Sequence, residues 1–166
     1  QVIIDQPIEN GDIVLRREDG FVSSLFSSYA SKAGVFSHVG IVAKDSVGRV
    51  GVIHCELKET KEPSSVRYET IENFLSFADT FAIYRLEYSS SVRDEVVDKV
   101  WQRHAKGARF DFDFNNSTDS LLYCTELIAK SINDALGDSV IQPTTIFLEK
   151  PCFSLDDLTT HCKLIK

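Results

Sequence analysis

The sequence predicts an α+β domain, an antiparallel sheet with helices packed on it. Three observations carry this. Short runs rich in Val and Ile, at 13–15, 38–43, 50–57 and 81–86, are bounded by turn residues at hairpin spacing. The stretch 89–107 places Val92, Val96, Val97, Val100 and Trp101 on one helical face. The stretch from Cys124 repeats that spacing with Leu127, Ile128, Ile132, Ala135 and Leu136.

Taken in order, 1–10 is a lead-in interrupted by Pro7, and Gly11-Asp12 is a turn into the first strand. Ser- and Ala-rich 21–34 reads as a short helix leading to the 38–43 strand. Turn 45–49 and strand 50–57 complete a hairpin. A charged loop broken by Pro63 covers 58–65, Val66-Arg67-Tyr68 reads as a further short strand, and Ile71, Phe74 and Leu75 have helical spacing. The long helix starts from Ser caps and ends at Gly107. Residues 110–114 alternate Phe and Asp, an extended segment with one buried face. The Cys124 helix ends at Gly137, and 141–166, with Pro143 and Pro151, carries no dominant period. No repeat or linker divides the chain, so 1–166 reads as one domain.

Composition bounds the function. A net charge of −7 disfavours nucleic-acid and anionic-membrane surfaces, which select for basic patches. No apolar run approaches the roughly 20 residues of a membrane helix. The chain contains no methionine, so it is read as the product of a cleavage. Removal of a secretory signal would place it outside the cytoplasm or in a periplasm, and a cytoplasmic location is the alternative. Of the four cysteines, Cys152 and Cys162 could close a short loop, which a reducing compartment would leave open.

The chemistry concentrates in two places. Cys124 falls in the first turn of a helix, behind the capping run 115–120. Unpaired N–H groups and the positive end of the dipole there favour a thiolate, so early alkylation of Cys124 is expected. The plain alternative is a small buried hydrophobe. Far upstream, His38 stands at the entrance of a strand in which Gly40 signals close approach by another group. A cysteine nucleophile needs a base, and the base needs an orienting partner. With the hairpin centred near Val47, Glu56 falls opposite His38 and His54 opposite Gly40 on the same face. Glu56 is therefore the expected orienter, and His54 a half-buried histidine with a satisfied ring.

Gly-Asp-Ile-Val at 11–14, Ser-His-Val-Gly-Ile at 37–41 and Tyr-Cys-Thr-Glu-Leu at 123–127 recur in this order in one family. The chain resembles the YiiX-like branch of the NlpC superfamily, largely bacterial cysteine hydrolases, over roughly residues 11–132. That resemblance implies a circularly permuted papain-like fold in which the histidine precedes the cysteine. It implies catalysis by Cys124, His38 and an acidic residue matching Glu56, with Ser37 and Tyr123 lining the substrate cleft. It also implies an amide substrate, a cell-wall peptide or an amino-acid amide, and no cofactor. Two alternatives stay open: a lipid acyl hydrolase or acyltransferase of the lecithin-retinol acyltransferase type, and a binding module without turnover. The lipid alternative calls for an apolar groove near Phe110, Phe112 and Phe114.

No metal is expected. Residues 111–119 imitate a calcium loop, but Asn116 and Leu122 replace the required Gly and Glu. Cys152, His161 and Cys162 lack the paired spacing of a zinc site. The sequence does not speak to oligomeric state.

Overall fold

The computed structural model describes residues 7–19, 29, 31, 35–57 and 64–166, and the statements below concern these. The expected helix at 21–34 and most of the expected loop at 58–65 lie outside the described residues.

Strand side chains alternate between the two sheet faces, and here both faces are buried. In β1 (Asp12–Arg17), Ile13 and Leu15 join one apolar cluster and Val14 a second. In β2 (His38–Lys44), Val39, Ile41 and Ala43 join the first cluster and Val42 the second. With β3 (Val50–Cys55), β4 (Val66–Thr70), β5 (Thr80–Leu86) and β10 (Cys162–Leu164), these strands form a six-stranded antiparallel sheet ordered β10-β5-β1-β2-β3-β4.

Helix α1 (Ile71–Leu75) delivers Phe74 to the second cluster. Helices α2 (Ser90–Ala105), α3 (Cys124–Leu136) and α4 (Leu155–Thr159) cover the first. The Ser89 hydroxyl caps α2 by accepting from the Val92 N–H at 3.3 Å. Gly137 ends α3 in the left-handed region at φ 66°. None of these helices is long and apolar enough to cross a membrane.

Two stretches depart from the sequence reading. The expected extended segment at 110–114 is strand only as β6 (Arg109–Phe110), which pairs in parallel with β7 (Leu121–Leu122). Beyond it the Asp111 carboxylate accepts the N–H of Asp113 at 2.9 Å and of Asn115 at 2.6 Å, folding the chain into a turn. The unassigned tail forms a hairpin of β8 (Thr145–Phe147) and β9 (Lys150–Cys152), then α4, then edge strand β10. Three-residue strands are too short to show a period. All four cysteines are free thiols, Cys152 and Cys162 included.

The hairpin register is the one read from the sequence, with Ile41 opposite Ile53 and Val42 opposite Val52. Pairing between β2 and β3 begins at Ile41 and Ile53 rather than at His38, so the strands part at the His38 end. Gly40 lies at that parting. A Cβ there would stand 3.1 Å from a Phe74 ring carbon and 3.3 Å from the His54 Cβ, and closer still to Val52. Gly40→Ala should therefore cost about 1–3 kcal/mol, as overpacking of a filled site does. The midpoint of guanidinium unfolding measures it, and an unchanged midpoint would show that the contacts yield freely.

Candidate active site

The chain entering α3 packs on the first face of the sheet at the end where β2 and β3 part, against Val39 and Cys55. The Cys55 thiol, at the end of β3, donates to the Leu122 carbonyl at 3.0 Å. The backbone N–H groups of Thr125, Val39 and Cys124 itself are directed at the Cys124 sulfur. The sulfur thus rests against the peptide that joins His38 to Val39. Burial nevertheless pushes the thiol up to about 12, against the pull of these N–H groups. Only 5% of Cys124 is exposed. The low thiol pKa expected from the helix start is overridden by desolvation, and Cys124 is a neutral thiol near pH 7.

On the second face of the sheet, two imidazoles meet at the same end. His38 Nε2 lies 2.8 Å from His54 Nδ1, and His54 Nε2 lies 2.7 Å from Glu69 Oε1. Both rings pack on Phe74, with centroids 5.8 and 5.0 Å away. Burial holds His38 well below its ordinary pKa, with His54 and the Arg16 guanidinium adding to the effect. Burial also lowers His54, against the hydrogen bond to Glu69. Among the described residues, the hydrogen bond of His38 goes to His54 and not to the sulfur.

Glu56, expected opposite His38, lies just beyond the end of β3 and accepts from Arg16 Nη2 at 2.7 Å. Arg67 approaches its other oxygen at 3.6 Å. Arg16 has no exposed surface, pairs with Glu18 as well, and lies 4.1 Å over the Phe74 ring. A buried guanidinium demands carboxylates, and Glu56 is drawn to it. His54, on the same face as Glu56, occupies the place beside His38.

The Ser37 hydroxyl accepts from the Glu18 N–H at 3.0 Å, which ties the strand entrance to the end of β1. Tyr123 is wholly buried. Its hydroxyl donates to Asn116 Oδ1 at 2.6 Å and accepts from the Phe153 N–H at 2.9 Å. The phenol is thereby committed to holding two loops around the start of α3.

The pairing of His54 with His38, and the part of Glu69 in it, have no signal in the sequence. Glu69 sits on β4, paired with Val52 of β3. A polar alternation of Arg67 and Glu69 was visible, but its register against β3 depends on the chain that connects the two strands. Among the described residues, no group of three or more His, Cys, Asp or Glu is arranged to hold a metal ion.

The sequence pattern of the family described as permuted papain-like amidase enzymes, YaeF/YiiX, C92, matches residues 7–161. The chain belongs to this family. Membership makes it a cysteine hydrolase of the amidase kind, and its α+β architecture is the permuted papain-like one. No curated protein matches the chain. Among solved structures, metalloprotein yiiX from Escherichia coli O157:H7 is similar with a TM-score of 0.68, over 95% of this chain and 96% of that one. The two are 16% identical, so the likeness speaks for the fold. The word metalloprotein belongs to that relative. In this chain the facing nitrogens of His38 and His54 are engaged with each other, and the remaining His54 nitrogen with Glu69, so among the described residues these side chains are not gathered around a common centre.

One group at the foot of the site titrates near neutrality. Glu126 has no exposed surface, accepts the Tyr123 N–H at 3.2 Å, and has Lys130 Nζ at 2.8 Å. Burial pushes it from the ordinary 4.5 up to about 7. A carboxyl raised on folding binds its proton more tightly in the folded state, so its contribution is present at low pH and is lost as pH rises. Relative to the parent, Glu126→Gln should gain stability between about pH 4.5 and 7, by roughly 3 kcal/mol at about 1.4 kcal/mol per pH unit. Unfolding free energies across that range measure it, and a difference flat in pH would place the proton elsewhere.

Proposed function

We propose that the chain cleaves amide bonds of peptides or amino-acid amides with Cys124 as nucleophile, His38 as general base and then acid, and His54 as the partner that orients His38. The observation that carries this reading is the parting of β2 and β3, with the helix start of Cys124 on one face and the His38–His54 pair on the other. The burial of both groups selects a neutral thiol and a neutral imidazole at rest, since an ion pair in a dry site costs more than it returns. The thiol proton then moves to His38 as the sulfur attacks the carbonyl carbon. The tetrahedral oxyanion is met by N–H groups at the start of α3. Collapse breaks the C–N bond, His38 protonates the leaving amine, and water hydrolyses the thioester. No cofactor enters these steps.

Glu56 remains the rival for the orienting role. Contact favours His54, since Glu56 is spent on Arg16. A second substrate reading, hydrolysis or transfer of a lipid acyl chain, has one observation behind it. Phe110 packs on Phe112 at 5.3 Å and on Phe114 at 6.1 Å, and Phe114 packs on Tyr123 at 4.9 Å. This string of rings runs from Phe112, 62% exposed, to the residue before Cys124.

Turnover of a panel of peptide amides, amino-acid amides and long-chain acyl esters tests the reading, with the acyl-enzyme trapped and located by mass spectrometry. Cys124→Ser and His38→Ala should each lower kcat/KM on amides by about a hundredfold or more. His54→Ala should lose at least about tenfold at unchanged near-ultraviolet circular dichroism, and Glu56→Gln less. A larger loss in Glu56→Gln would return the orienting role to Glu56. Turnover confined to long-chain esters would replace the amidase reading, and binding without turnover would leave a module of the same fold.

A further inference from the structure

One hydrogen bond in the site serves no step above, the 2.7 Å contact of His54 Nε2 with Glu69 Oε1. His54 is fully buried, and the Glu69 side chain, on edge strand β4, is 11% exposed. A neutral imidazole has one N–H and one lone pair, and the partner of one nitrogen decides the role of the other. Two neutral imidazoles in contact can share their proton in either of two directions that differ little in energy.

Glu69 breaks that degeneracy. Burial works to raise its pKa, but the hydrogen bond from His54, with Arg67 and Arg16 nearby, outweighs it and holds the carboxyl below its ordinary value. An ionised carboxylate only accepts, so the proton of His54 sits on Nε2 and its Nδ1 carries the lone pair. His38 must then donate from Nε2, the nitrogen 2.8 Å away, and its Nδ1 is left as the basic site. In the reverse arrangement His38 Nδ1 would carry the proton and could not accept one from a thiol.

We infer that Glu69 is a positioning residue, acting through His54 to fix the tautomer in which His38 can serve as a base. Its catalytic meaning rests on the proposed function, whereas the tautomers themselves do not. Glu69 touches neither sulfur nor substrate. It lies on the strand beyond His54, so the orienting device is a chain of two rings ending in a carboxylate rather than one acidic partner. A charge-assisted hydrogen bond of this kind biases the pair by about tenfold or more.

The experiment reads the rings directly. The full chain is labelled with 15N-histidine, and two-bond proton–nitrogen correlation spectra report which nitrogen of each ring is protonated. The chain has four histidines, and His104→Gln and His161→Gln assign the other two signals. The parent should show His38 and His54 both protonated at Nε2. Glu69→Gln keeps the reach, but its amide donates as readily as it accepts, so the bias should weaken and the second tautomer should appear on both rings. Glu69→Leu has no acceptor and should show mixed tautomers on both rings, with kcat down about tenfold or more and KM little changed. A parent His38 protonated at Nδ1 would overturn the inference, and this needs no variant to fold. Unchanged tautomers in a folded Glu69→Leu protein would overturn it too. Turnover that survives Cys124→Ser would instead sink the hydrolase reading, and it leaves the tautomer result to be judged by itself.

Discussion

The constraint on which the rest depends is the parting of β2 and β3 at the His38 end. A continuous ladder there would pair Val39 and Cys55 with each other and exclude the start of α3. Instead Cys55 spends its thiol on the Leu122 carbonyl, and the Val39 N–H turns to the Cys124 sulfur. Of the backbone groups at the missing rungs, the Val39 N–H finds its partner in the Cys124 sulfur at the helix start. The large cluster of Val39, Ile41, Leu127 and Ile128 holds α3 in that position. Gly40 leaves room on the other face for Phe74 and His54. The placement of the candidate site and the hydrophobic packing are here consequences of one break in a sheet.

Arg16 is the second organising element. A fully buried guanidinium is costly unless its charge and donors are met. It is met by Glu56, by Glu18, by the Phe74 carbonyl and by the face of the Phe74 ring. The same cation lowers the pKa of His38. Arg16 therefore helps to keep the His38 imidazole neutral and engages the carboxylate that the sequence placed beside it. His54 and Glu69 then supply the contact that Glu56 does not.

Much of this was legible in the sequence, and what was not has physical reasons. The α+β class, the hairpin register centred on Val47, the start of α3 at Cys124 and its stop at Gly137 all follow from periodicity and turn chemistry, which are local. The close approach at Gly40 was also legible, as a glycine inside a strand. The partner of Glu56 was not, because Arg16 reaches it from a strand 40 positions away in sequence. Glu69 was hidden because no turn signal in the sequence fixes the register of β4 against β3. The direction of the thiol pKa differs from the sequence expectation, because helix-start N–H groups are visible in a sequence, whereas the extent of desolvation emerges only from packing.

That last difference bears on how the site works. An exposed Cys–His pair can rest as thiolate and imidazolium because water carries both charges. Here both groups are driven towards neutrality, the thiol upward and the imidazole downward. Under the proposed function, the driving force for proton transfer would come from the substrate, whose developing oxyanion would be met by the N–H groups at the start of α3. A site proposed on these terms would be unreactive towards chance electrophiles and would gain its nucleophile only as the carbonyl is attacked. It also places a stricter demand on the tautomer of His38, because a neutral base with its lone pair on the wrong nitrogen has no charge attraction to draw the thiol proton across.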